Sequence, residues 1–174
     1  MAGLPGWSRR LAAAAVPDEV ELAPLIITAY VAGGEARDDL YHRAANGQLG
    51  GFGPGATVMV FPWIVRGLTI AAPLLTVLLA AAPHVNELLD IVKSGFDLQA
   101  AAAKRDAEAA DVEDAYLATH LRRTLAILDQ ELSAVPLAQG ERERICYQVL
   151  RALLEAPDES QEVVVTLKVA RDKA

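Results

Sequence analysis

The chain has 174 residues, a formal net charge of -7, 53% hydrophobic residues and 22% charged residues. That is one domain's length, enough to bury a core without disulfides or metals and too apolar for general disorder. The acidic excess, 23 against 16 basic residues, argues against a nucleic-acid partner, and a single cysteine, Cys146, excludes a disulfide framework and any multi-cysteine zinc site.

In chain order, the first feature is Arg9-Arg10 followed by the apolar run Leu11 to Val16. Six apolar residues are too few for a secretion signal, and Pro17-Asp18-Glu19 follows at once, so a short terminal helix is expected. Residues 22–34 carry no charge. Pro24 opens them, Gly33-Gly34 closes them, and the β-branched Ile26, Ile27, Thr28 and Val31 lean toward a strand over 24–31. Residues 35–46 read as a polar helical stretch that buries Leu40 and Tyr41. Residues 47–56 hold five glycines and Pro54 and read as a loop. Thr57 to Val65 suits an edge strand, because Pro62 cannot donate to a ladder.

The segment 56–86 is the anomaly. Arg66 is its only charge, and the twenty residues from Gly67 to Asn86 have none. Twenty apolar residues in a helix rise about 30 Å, the thickness of a bilayer's hydrocarbon core. On this reading residues 64–86 insert as one helix. Trp63 and Arg66 anchor its boundary, and Leu74, Leu75, Leu78 and Leu79 face lipid. The competing reading is a buried core helix. Pro73 and Pro83 favour it, because they divide the run into pieces near ten residues long.

Val85, Leu88, Leu89, Val92 and Phe96 recur at helical steps, with a stop at Ser94-Gly95. Residues 98–110 are alanine-rich and charged, with high helix propensity and almost no large apolar side chains. Leu117, Leu121, Leu125, Leu128 and Leu132 form a regular helical stripe that ends before Pro136. Ile145, Val149, Ala152 and Leu153 line a second helix ending near Ala156-Pro157, and the two make a helical hairpin. Residues 162–169 alternate so that Val163, Val165, Leu167 and Val169 share one strand face. That strand needs a partner, either an earlier segment or another chain.

Little in the chain reads as chemistry. Gly51-Phe52-Gly53-Pro54-Gly55-Ala56 fits a GxGxx(G/A) pattern, but no strand precedes it and no acidic residue lies about twenty positions on. His42, His84 and His120 have no partners at metal-ligand spacing. Ser94 and Ser133 lack a nucleophile-elbow context. Cys146 reads as a packed apolar residue, although Arg142 and Arg144 are close in sequence. Asp38-Asp39, Asp106-Glu108 and Asp158-Glu159 read as solvated charge. No cofactor or metal is expected.

The expected fold is predominantly α: an apolar helix plus a helical hairpin with a C-terminal β-strand. The alternative is α+β with a small mixed sheet. Three parts are expected: an N-terminal segment with its glycine linker (1–55), the apolar and amphipathic helices (56–96) and a charged helical module (97–174). The expected function is a non-catalytic, membrane-associated protein. Its stripe Leu117–Leu132 and its terminal strand, through Val163, Val165 and Leu167, would recruit a protein partner or build a homo-oligomer. The alternative is a soluble, cytoplasmic protein-interaction or adaptor module.

Overall fold

The computed structural model of the chain describes residues 3–45, 58–93 and 112–172. Among them helix is the only regular structure: α1 Leu4–Ala15, a 3-10 turn Pro17–Glu19, α2 Ala23–Ala32, α3 Gly34–Ala45, α4 Phe61–Ile70, α5 Ala72–Ala80, α6 Ala82–Lys93, α7 Val112–Leu132, α8 Gln139–Glu155 and α9 Pro157–Asp172. The protein is predominantly α, and the hairpin α7–α8 is present. The glycine loop 47–56, the segment 98–110, Ser94-Gly95 and Phe96 lie outside the described residues.

Proline decides where most of these helices begin. Pro5, Pro24, Pro62 and Pro73 occupy the first or second position of α1, α2, α4 and α5. Pro83 is the second residue of α6, and Pro157 is the first of α9. A proline's fixed φ suits a first turn, and its missing N–H costs nothing there. The same residues would break a helix that ran through them. Pro73 and Pro83 therefore cut the apolar stretch into helices of 10, 9 and 12 residues. The axes of α4 and α5 differ by 78°. No single helix among the described residues is long and apolar enough to cross a membrane, which corrects the expectation of one helix over 64–86.

The three expected strands are helices too. Residues 24–31 lie in α2, where Thr28 Oγ1 donates to the Pro24 carbonyl one turn back at 2.7 Å. Of the run 57–65, Thr57 lies outside the described residues, 58–60 lead into α4 and 61–65 form its first half, with Pro62 as a helix starter. Residues 162–169 lie in α9, so the C-terminal β-strand and the small mixed sheet are both absent from the described residues. In α9, Ser160, Val163, Val164, Leu167 and Ala170 are buried. Those spacings of three and four residues make one helix face, whereas a strand would send Val163 and Val164 to opposite sides. Burial thereby overrides the β preference of three consecutive valines. Between α2 and α3 the chain turns through Gly33 and Gly34, at φ 74° and 54°, a left-handed conformation that glycine adopts without steric cost.

The apolar pair α4–α5 sits in the middle of the packing. α5 lies against α7 and α9, and α4 lies against α7, α2 and α9; α1 covers α2 and α8, and α6 covers α8 and α7. Phe61, Ile64, Leu68, Leu75 and Leu78 are among the most buried side chains, each worth roughly 1.5–3 kcal/mol of transfer from water. Gly67 lets α4 approach α7 closely: a Cβ at that position would stand 2.9 Å from Leu128 Cδ2 and 3.5 Å from Leu128 Cα.

Two polar devices hold distant parts of the chain together. The Glu19 carboxylate accepts hydrogen bonds from Val60 N at 2.7 Å and Phe61 N at 2.8 Å, capping the start of α4 from forty residues away. Burial pushes the Glu19 carboxyl above its usual range, while those two N–H groups pull the other way. Elsewhere, Trp7 Nε1 donates to Ser160 Oγ at 3.3 Å and Arg10 pairs with Glu159, joining α1 to α9.

Candidate interaction surface

The residues expected to meet lipid mostly meet protein. Leu75, Leu78 and Leu79 are buried, and Leu74 is half-buried. Trp63 packs edge-on to Tyr41, with ring centroids 5.1 Å apart. Arg66 lies on the outer side of α4 and pairs with Glu131 of α7 at 3.1 Å. Its guanidinium carbon is 5.4 Å from the Tyr41 ring centre and 5.7 Å from that of Trp63. The arginine that reads as a snorkelling anchor thus bridges two helices beside the Gly67–Leu128 contact.

The leucine stripe is internal. Leu117, Leu121, Leu125, Leu128 and Leu132 are all buried and hold α7 onto α4, α5 and α8. On α9 the three expected interaction residues separate. Val163 and Leu167 face the core, whereas Val165 is 47% exposed and Val169, one turn on, is 46% exposed. The outer face of α9 therefore carries two valines at helical spacing. Glu162 and Lys168 lie on either side of Val165, both exposed, and neither is in an ion pair among the described residues. Leu25 on α2, Tyr116 on α7 and, to a smaller extent, Ile70 on α4 are the other exposed large apolar side chains among the described residues. Period-two alternation picked out Val165 for the wrong structural reason. The exposed pair Val165 and Val169 follows from a helical register set by Pro157, which the sequence contained.

The groups with possible chemistry are occupied elsewhere. Cys146 is buried, and burial, with Asp129 nearby, pushes its thiol up to about 12. His120 Nδ1 hydrogen-bonds the Tyr116 carbonyl at 2.9 Å, and its ring lies against that of Tyr116. Ser133 Oγ donates to the Gln130 carbonyl at 2.6 Å. Arg142 bridges the hairpin, donating to Asp129 at 2.9 Å and to the Leu137 carbonyl at 3.2 Å. Among the described residues no three His, Cys, Asp or Glu side chains come together as a metal site. No family model, curated protein or solved structure matches this chain.

Proposed function

We propose that the protein is a non-catalytic helical interaction module that self-associates through the outer face of α9. The observation that carries this reading is the exposed pair Val165 and Val169, with Glu162 and Lys168 placed evenly about Val165. If two copies meet antiparallel about a twofold axis at Val165, Val165 meets its counterpart, Val169 of each copy lies opposite Gln161 of the other, and Glu162 of each copy lies opposite Lys168 of the other. Such a surface is complementary to itself, as a twofold contact requires. Asp158 and Asp172 would also oppose each other. They lie about 10 Å along the helix from the axis, and a crossing near 50° splays them roughly 9 Å further apart. One helix face is smaller than the roughly 1,200 Å² of a stable interface, so the association is weak and transient.

Sedimentation velocity tests this on the whole chain. Concentration-dependent dimerisation is expected, reaching half-saturation near ~100 µM. Glu162→Lys is expected to abolish it, and Glu162→Lys with Lys168→Glu to restore it. A chain that stays monomeric into the millimolar range, or a double exchange that restores nothing, overturns the reading.

A second reading keeps the membrane. Together α4 and α5 have the length and composition of a broken span, and on leaving the core they would offer Leu74, Leu75, Leu78 and Leu79 to lipid, with Trp63 and Arg66 at its boundary. Flotation with phospholipid vesicles tests it. Full recovery in the vesicle-free fraction overturns it.

A further inference from the structure

An open pocket of about 570 Å³ lies where α2, α3, α4 and the end of α9 converge. Arg37, Arg66 and Arg171 line it together with Tyr30, Tyr41 and Ile70. Three guanidiniums on one concavity are unexpected in a chain of net charge -7. Their compensation is uneven. Arg66 has Glu131, and Arg171 has Asp172 at 3.4 Å. Arg37 instead donates to two carbonyls, Tyr30 O at 3.0 Å and Ala170 O at 2.8 Å, and lies 4.6 Å from the Tyr30 ring centre. It has no carboxylate within ion-pair distance among the described residues.

Tyr30 forms the wall on which Arg37 rests. It is only 3% exposed and lines the pocket. The Tyr41 hydroxyl is engaged elsewhere, donating to the Pro62 carbonyl at 3.2 Å. Tyr41 adds no negative charge, since burial holds its hydroxyl protonated. Asp38 and His42 complete the lining at the exposed rim, where water and salt screen the Asp38 charge.

We propose that this pocket binds a small organic carboxylate with a flat apolar body. The carboxylate sits on Arg37, Arg171 closes over it, and the body lies between Tyr41 and Ile70. A planar guanidinium matches a carboxylate's two oxygens, and a concavity of this size has room for a ring-sized ligand. The inference is separate from self-association through Val165.

Trp63 is the built-in reporter, because it touches Tyr41 and lies under Arg66, whereas Trp7, the other tryptophan, is buried between α1 and α9. The whole chain is titrated with benzoate, acetate and inorganic phosphate, by Trp fluorescence and calorimetry. Benzoate is expected to saturate, with acetate and phosphate each at least ~10-fold weaker because neither offers both halves of the ligand. Arg37→Gln is expected to remove benzoate binding, and Arg171→Ala to weaken it by about tenfold. Arg37 ties α2 to α9, so circular dichroism accompanies its variant. Arg171→Ala alters an exposed side chain and carries the test if the other unfolds. Absence of saturation with benzoate, equal binding of phosphate, or unchanged benzoate affinity in Arg171→Ala overturns the proposal.

Discussion

Replacing Glu19 by Ala is the sharpest test of how α4 is held. Two backbone N–H groups, Val60 and Phe61, lose their acceptor together. Hydrogen bonds to a charged group contribute about 1.5–3 kcal/mol each, which would put the loss near ~3–6 kcal/mol. Two effects reduce it. Burial is the largest influence on the Glu19 carboxyl, so removing the charge returns part of a desolvation cost. A groove of about 580 Å³ also borders Glu19, Met59 and Val60, and water entering it can reach the freed donors. A net loss of about 2 kcal/mol remains, at the upper end for an N-cap replacement. In urea that is a midpoint shift of about 1 M for a slope near 2 kcal/mol/M. Glu19→Gln retains one acceptor oxygen and is expected to cost about half as much. A Glu19→Ala midpoint within ~0.2 M of the unaltered protein, or a Gln variant less stable than the Ala variant, would refute the reasoning.

The remaining expectations concern the same core. The Glu19 pKa is raised on folding, so the folded state holds that proton more tightly than the unfolded chain does. The resulting stabilisation is complete below the unfolded value near 4.5 and is lost as pH rises through the folded value. The stability of the unaltered protein relative to Glu19→Gln should therefore increase on acidification toward pH 4.5, and a difference that shrinks over that range contradicts the assignment. Gly67→Leu should push α4 from α7 and cost about 1–3 kcal/mol in thermal or urea unfolding, because a Cβ there already stands 2.9 Å from Leu128 Cδ2 and 3.5 Å from Leu128 Cα, with the rest of the side chain still to be placed; a neutral result would mean the two helices have room. Cys146, with its thiol near 12 against an ordinary 9.0, should hold about a thousandfold less thiolate than a free cysteine. A thiol reagent is then expected to label it only as the protein unfolds, and prompt labelling of the native chain would place Cys146 at the surface.

The sequence made some elements plain and concealed others for identifiable reasons. The hairpin α7–α8 was legible because the leucines from Leu117 to Leu132 repeat at helical spacing over about four turns and Pro136 ends the pattern. The cut through the apolar run was legible too, since Pro73 and Pro83 stand ten residues apart. α2 and α9 were not, because Ile26, Ile27 and the three valines 163–165 carry strand preference, while their helical register depends on what they pack against. In hindsight Pro24 and Pro157, each at a helix start, were the better signals, and Asp158 and Glu159 in the first turn of α9 strengthen the second. The arginine pocket could not be seen at all. Arg37, Arg66 and Arg171 are far apart in the chain, and only the closing of α9 onto α2 and α4 brings them together.

The place of α4–α5 in the middle of the chain also shapes the protein's birth. Its most apolar stretch leaves the ribosome with α7 and α9, which cover it, still untranslated. At ordinary synthesis rates the eighty-odd residues between Ala80 and Val163 take roughly 4–17 s. Throughout that interval a nascent chain displays bare leucines to everything around it. Any factor that shelters apolar nascent segments should govern its yield more strongly than the final stability does.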